Sequence, residues 1–138
     1  MNKITISILA PLLISLGGCD WHGIRGNRDI TTEQRTIGAF ANIEADGAFQ
    51  IEWKNGTAAL SITKDQNLLP YVKSEVSGDK LRLHSTEHLL PTHEIKVFVS
   101  SATLAGAQFR GAVRFSARQI SGANFFLESQ GASRVTLD

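Results

Sequence analysis

The sequence predicts an all-β fold, either a β-solenoid with rungs of about 20 residues or a β-sandwich, and three observations predict it. Apolar residues recur at every second position. Phe49, Ile51 and Trp53 alternate with Gln50 and Glu52, Leu81 and Leu83 with Arg82 and His84, and Ile95, Val97 and Val99 keep the same beat. That period belongs to a strand with one buried face. Glycine occupies 12 positions, and Val, Ile, Phe and Thr are plentiful between them, as strands joined by tight turns require. Finally, Gly111-Ala112-Val113-Arg114-Phe115 is echoed 20 residues later by Gly131-Ala132-Ser133-Arg134-Val135, with Ser121-Gly122-Ala123-Asn124-Phe125 about half a period out. In a solenoid a small residue turns each corner, and apolar side chains stack on their copies one rung away. Two hairpins with Gly-Ala turns would satisfy the same pattern and give a sandwich.

The first element is an export signal. Met1-Asn2-Lys3 is positively charged, and Ile4 to Leu16 is an apolar run broken by Pro11. The run is shorter than the ~20 residues of a membrane-spanning helix and fits the hydrophobic region of a signal peptide. Leu16-Gly17-Gly18-Cys19 follows. Two glycines leave the backbone open to a peptidase, and the single cysteine of the chain comes next. The run resembles the bacterial lipoprotein processing site. That resemblance implies lipid attachment to the Cys19 sulfur, cleavage before it and acylation of the new amine. Two or more acyl chains anchor a protein stably, where one binds only marginally. A lone cysteine in an exported chain has no internal disulfide partner, which suits this role. The chain thus divides into a signal peptide (1–18), a lipidated N-terminus and linker (19–27) and a β domain (28–138). The anchor places the domain in the bacterial cell envelope. Asp20 implies inner-membrane retention under a sorting rule that only some bacteria follow, so the inner and outer membranes, and the periplasmic and outer faces, all stay open.

The strands follow in order. Phe49 to Trp53 forms one, and Asn55-Gly56 predicts a hairpin to a return strand containing Leu60 and Ile62, because both residues tolerate positive φ. Residues 65–71 read as a helical turn or irregular crossing. A strand over Val72–Val76 turns at Ser77-Gly78-Asp79 into the strand of Leu81 and Leu83. Thr86 to His93, with Pro91, reads as a polar loop before Ile95–Val99. No amphipathic helix is found after the signal peptide.

Charge and motifs narrow the function. Formal net charge is +1 with no basic cluster along the chain, which argues against nucleic acid as a partner. The nucleophile elbow and the phosphate-binding glycine loops are absent. His84, His88 and His93 lie close in sequence beside Glu87 and Glu94, but on a loop. Zinc needs three or four converging ligands, and neither a metal nor a cofactor is expected. Glycosidases need two carboxylates astride the bond, and residues 95–138 offer only Glu128 and Asp138. The reading is therefore non-enzymatic, with a carbohydrate-active enzyme on a β-helix as the alternative. The repeats do carry arginines. Arg110, Arg114 and Arg134 are the candidate residues for an anionic ligand, with Arg118 nearby. Guanidinium forks bind carboxylate, sulfate or phosphate in bidentate fashion. Arg114 and Arg134 share a repeat position, so a solenoid would stack them on one face, where they could meet an acidic polysaccharide or lipid head groups. The plain alternative is a solvated surface with ordinary cross-strand partners.

A family resemblance covers about residues 24–138. Arg35 with Phe40-Ala41-Asn42-Ile43, then Gly47-Ala48-Phe49-Gln50-Ile51, then Asp65-Gln66-Asn67-Leu68-Leu69 ahead of Gly78-Asp79-Lys80-Leu81-Arg82-Leu83, and the Gly111-Ala112 and Ser121-Gly122-Ala123 corners resemble the putative auto-transporter adhesin, head GIN domain family. Many members are predicted lipoproteins. The resemblance implies a right-handed β-helix-like fold and supplies no mechanism. Members usually continue for further rungs, whereas this chain stops in mid-pattern at Val135-Thr136-Leu137-Asp138. Two expectations follow: a C-terminus that is truncated, or a last rung covered by a partner such as a second copy. The function expected is a lipid-anchored, non-enzymatic envelope domain that binds or adheres through an extended β-surface. Its expected partners are the membrane through the anchor, an anionic polysaccharide or another envelope protein, and itself in a homo-oligomer.

Overall fold

Alternation of apolar and polar side chains gives each strand one face to bury, and the strands pay for their backbone hydrogen bonds by pairing into two sheets that share those faces. The computed structural model describes residues 22–120 and 124–138. The expected signal peptide, Cys19 and the Ser121-Gly122-Ala123 corner lie outside the described residues. Thirteen strands are described: β1 (Ile24–Arg25), β2 (Ile30–Arg35), β3 (Asn42–Asp46), β4 (Phe49–Asn55), β5 (Ala59–Asp65), β6 (Val72–Ser77), β7 (Lys80–Ser85), β8 (Leu89–Leu90), β9 (Ile95–Ser101), β10 (Gly106–Arg110), β11 (Val113–Arg118), β12 (Phe126–Gln130) and β13 (Arg134–Leu137). A 3₁₀ turn spans Gln66–Tyr71. Among the described residues no helix is long and apolar enough to cross a membrane.

The chain is all-β with mixed sheets. The smaller sheet runs β12-β10-β3-β7-β6 and the larger β13-β11-β4-β9-β5-β2, with β1 and β8 as a separate parallel pair. The first four strands of each sheet are parallel to one another; β6, β5 and β2 join antiparallel. Three chain segments each send one strand to each sheet: β3 to β4, β10 to β11 and β12 to β13. The repeat seen in the sequence is a register in space, because Gly106 pairs with Phe126 and Arg114 with Arg134. The β3–β4 segment comes early in the chain yet lies between β10–β11 and β7–β9.

One core fills the space between the sheets. Cross-strand rows are matched in size. Phe109 lies beside Ala45, and Trp53 beside Ala117, so each of these two large rings has a small neighbour in its row. The rings of Phe109 and Phe115 meet across the gap with centroids 5.0 Å apart. Trp53 is buried with its indole N–H satisfied, donating to Ser101 Oγ at 2.8 Å. At the outer strands the inner face is less covered: Leu127 is 39% and Leu137 45% exposed, and outward-facing Phe126 61%.

The corners between the sheets are built on Gly47, Gly111 and Gly131, with φ of 133°, 91° and 102°. They stack. Gly47 N–H donates to Arg110 O, and Gly111 N–H to Gln130 O, both at 3.0 Å. A Cβ on Gly111 would sit 2.8 Å from Gly47 O, and one on Gly131 would sit 2.8 Å from Gly111 O. Only glycine lets the backbones approach this closely in this conformation.

The expected hairpin at Asn55-Gly56 does not form. β4 and β5 flank β9 instead of pairing, and Gly56 donates its N–H to Ser101 O. Ile51 and Trp53 find parallel partners in Val97 and Val99, and the loop after Asn55 spans two strand spacings to let β9 in. The Gly78 turn behaves as expected: Ser77 pairs with Lys80, and Gly78 supplies φ of 63°.

Part of the span expected as a linker docks on the domain. β1 pairs with β8, within the segment expected as a polar loop, and the residues that follow β1 close over Asp65. Asp65 is fully buried and accepts from Arg28 N (2.9 Å), Thr92 N (2.9 Å) and Thr92 Oγ (2.6 Å). Burial pushes this carboxyl up, but the hydrogen bonds from Thr92 and Arg28 outweigh it and hold the pKa below the usual value. Lys64, also fully buried, donates to Leu68 O. Burial, aided by the Arg35 cation, lowers its pKa from 10.5 to about 8 against the opposing pull of Glu33 and Asp65. Arg35 donates to Leu69 O (3.0 Å) and Val72 O (2.6 Å). Two cations thus hold the carbonyls of the 3₁₀ turn.

Candidate binding face

Strand parity decides which side chains leave the core, and the two sheets expose very different charge. The outer face of the smaller sheet carries Glu44, Asp46, Glu75 and Glu128 against Lys73, Lys80, Arg82 and Arg110. These signs are interleaved: Glu44 lies 3.5 Å from Lys80 and 3.8 Å from Arg82.

The larger sheet is different. Its exposed outward strand residues include Lys54, Lys96, Arg114, Arg118 and Arg134, and a single carboxylate, Glu52, since Asp65 on β5 is buried. Glu94 and Asp138 flank the strands. Arg134 and Arg114 are register partners on β13 and β11, Gln50 continues their row on β4 and Lys96 on β9. Arg118 pairs with Lys54 farther along the strands. With strands about 4.8 Å apart and about 3.3 Å per residue along them, the five cations cover a patch of about 15 by 13 Å. Arg114 meets Glu94 at 3.0 Å, but both side chains are more than half exposed, at 61% and 51%, so water screens the pair. Among the described residues, Lys54, Lys96, Arg118 and Arg134 make no side-chain hydrogen bond or ion pair.

Two depressions mark this side of the molecule. One, of about 440 Å³, runs over the stacked corners and is lined by Ala48, Ala112, Ala132, Gln50, Glu94 and Arg114. The other, of about 200 Å³, lies beside Phe98 and is lined by Gln34, Lys54, Ser61 and Ser100. Phe98 is 46% exposed on the central strand β9, in the outward register.

Of the sequence candidates, Arg114 and Arg134 come together in this patch. Arg110 does not join them: it stands on β10, on the outer face of the other sheet, beside Asp46 and Gln130. The sequence reading passed over Lys54, Lys96 and Phe98. Phe98 had a readable signal, an apolar residue in the polar phase of Ile95-Lys96-Val97-Phe98-Val99. Grouping Lys54 and Lys96 with the arginines needed the register of β4 and β9 against β11. The three histidines go separate ways: His84 lies on the outer face of the smaller sheet, while His88 and His93 sit in loops on either side of β8. Among the described residues no three His, Cys, Asp or Glu side chains converge on a metal-sized site.

The fold has solved counterparts. A crystal structure of a putative adhesin from Bacteroides fragilis superposes with a TM-score of 0.77 at 21% identity, covering 83% of this chain and 56% of its own. A putative lipid binding protein from Parabacteroides distasonis gives 0.68 at 21% identity, covering 84% and 55%, and a putative adhesin from the same organism gives 0.63 at 18%, covering 84% and 59%. The chain spans little more than half the length of these structures, and at such identities the likeness is one of fold. No curated protein matches the chain. Residues 39–138 match the family described as putative auto-transporter adhesin, head GIN domain, and the chain belongs to that family.

Proposed function

We propose that this is a non-enzymatic domain of the bacterial cell envelope, lipid-anchored through Cys19, that adheres to an anionic polysaccharide through the outer face of its larger sheet. The observation that carries the reading is charge segregation. One sheet interleaves its charges, while the other gathers five cations around one strand carboxylate. A chain of nearly zero net charge gains nothing in solubility from such a patch, but a flat cationic surface is complementary to a linear polyanion. Parallel rungs stacked in register, read as a right-handed β-helix-like solenoid, make that surface extended and rigid, which lowers the entropy lost on binding. The names of similar structures, adhesins among them, agree with a binding role. A Cys19 anchor would present the face close to the envelope. Arg110 is left out of the site.

The test is binding of the full chain, purified in detergent, to neutral and anionic polysaccharides, with Arg114→Ala/Arg134→Ala beside wild type. Anionic polymers should bind, neutral ones should not, and the double variant should lose about tenfold or more, with binding falling as salt rises. Equal binding of neutral polymers would refute the electrostatic reading. New reducing or unsaturated ends would move the protein into the alternative class, a carbohydrate-active enzyme.

A further inference from the structure

Phe98 interrupts a polar surface. Its cross-strand neighbours are Glu52 and Ser61, and Gln34 lies one strand beyond Ser61. Lys96 and Ser100 flank it on its own strand. Most of these neighbours are short or polar, so the ring stands on the face with 46% of its surface in water. A central strand has no packing need for an outward phenylalanine, and burying its ring in the core would require a shift of register that would expose Val97 and Val99. The depression beside the ring adds an ammonium group from Lys54, an amide from Gln34 and the hydroxyl of Ser61.

We infer that Phe98, Lys54, Gln34 and Ser61 form a subsite for one sugar ring of a uronic-acid polymer. This deepens the proposed function and rests on it. A pyranose ring has an apolar C–H face, a girdle of hydroxyls and, in a uronate, one carboxylate. The exposed aromatic ring takes the C–H face. Gln34 and Ser61 donate to and accept from the hydroxyls, and Lys54 or Lys96 takes the carboxylate. The neighbouring sugars then continue across the row of Arg114 and Arg134. A membrane surface fits less well. One phenylalanine on a flat sheet has little apolar area to insert into a bilayer.

The test compares three probes on the full chain in detergent: polygalacturonate, polyphosphate, which is an anionic polymer without rings, and glycerophosphoglycerol, the head group of phosphatidylglycerol without its acyl chains. Phe98→Ala and Phe98→Trp are measured beside wild type. Phe98 is outward-facing, so both variants should fold, and unchanged urea midpoints verify this. The inference expects Phe98→Ala to lose five- to tenfold for polygalacturonate, Phe98→Trp to keep or gain affinity, and polyphosphate binding to stay within twofold. Polygalacturonate affinity unchanged in Phe98→Ala would overturn the subsite while leaving the cationic face intact. An equal loss for both polymers would overturn it too, because the ring would then be acting on the electrostatics or the fold. A loss confined to glycerophosphoglycerol would overturn the sugar subsite and assign Phe98 to a lipid head group instead. Failure of wild type to bind either polymer would remove the proposed function and the subsite together.

Discussion

Replacing Gly111 by alanine should destabilise the domain far more than the same change at Gly78, although both glycines have positive φ, at 91° and 63°. At Gly78 a Cβ would meet nothing within 4 Å, so the cost is conformational alone, about 1–2 kcal/mol for an L-residue in the left-handed region. At Gly111 the Cβ would stand 2.8 Å from Gly47 O and 3.3 Å from Gly47 C. Both are backbone atoms of the adjacent corner and cannot rotate away. The corners would have to separate, stretching the Gly47 N–H to Arg110 O bond, and this overpacking adds about 1–3 kcal/mol. The expected total is about 2–5 kcal/mol, which at a urea m-value of about 1.5 kcal/mol/M lowers the midpoint by at least about 1 M. Gly131→Ala makes the same 2.8 Å approach, to Gly111 O, but it sits between the outer strands β12 and β13, which can yield. Its cost should fall between the other two. Urea unfolding followed by tryptophan fluorescence measures all three against wild type. A midpoint for Gly111→Ala equal to or above that of Gly78→Ala would refute the claim that close backbone stacking sets the corner sequence.

Two further perturbations probe the buried charges beneath the 3₁₀ turn. Asp65→Ala leaves the part-buried N–H groups of Arg28 and Thr92 without their acceptor, and should cost about 1–3 kcal/mol in urea unfolding; a loss under about 0.5 kcal/mol would show that water replaces the carboxylate. Lys64 has a folded pKa of about 8 against 10.5 unfolded, so between these values the unfolded chain binds more protons. The Lys64 contribution should therefore make stability rise as pH is raised from about 8 to 10.5 and be flat below 8; equal pH dependence of the urea midpoint in wild type and Lys64→Met would contradict it.

The all-β class, most strand positions, the corner glycines at 111 and 131 and the pairing of Arg114 with Arg134 could all be read from the sequence. The reason is local. Side-chain alternation has a period of two whatever the partner strand is, and a repeat of identical length returns like residues to like places. Partner choice is not local. Asn55-Gly56 carries every short-range mark of a hairpin, yet β9 enters between β4 and β5, because the match of Ile51 and Trp53 with Val97 and Val99 is made by residues more than 40 positions apart. Gly47 belongs to the same corner stack as Gly111 and Gly131, but 64 residues separate it from its neighbour, and no period in the chain announces that. The binding face follows the same rule. That Arg114 and Arg134 share a face came from the repeat; that Lys54 and Lys96 complete the patch, that Arg110 leaves it for the opposite sheet and that Phe98 stands open at its β9 edge were decided by tertiary register, where packing of the two inner faces fixes every outward neighbour.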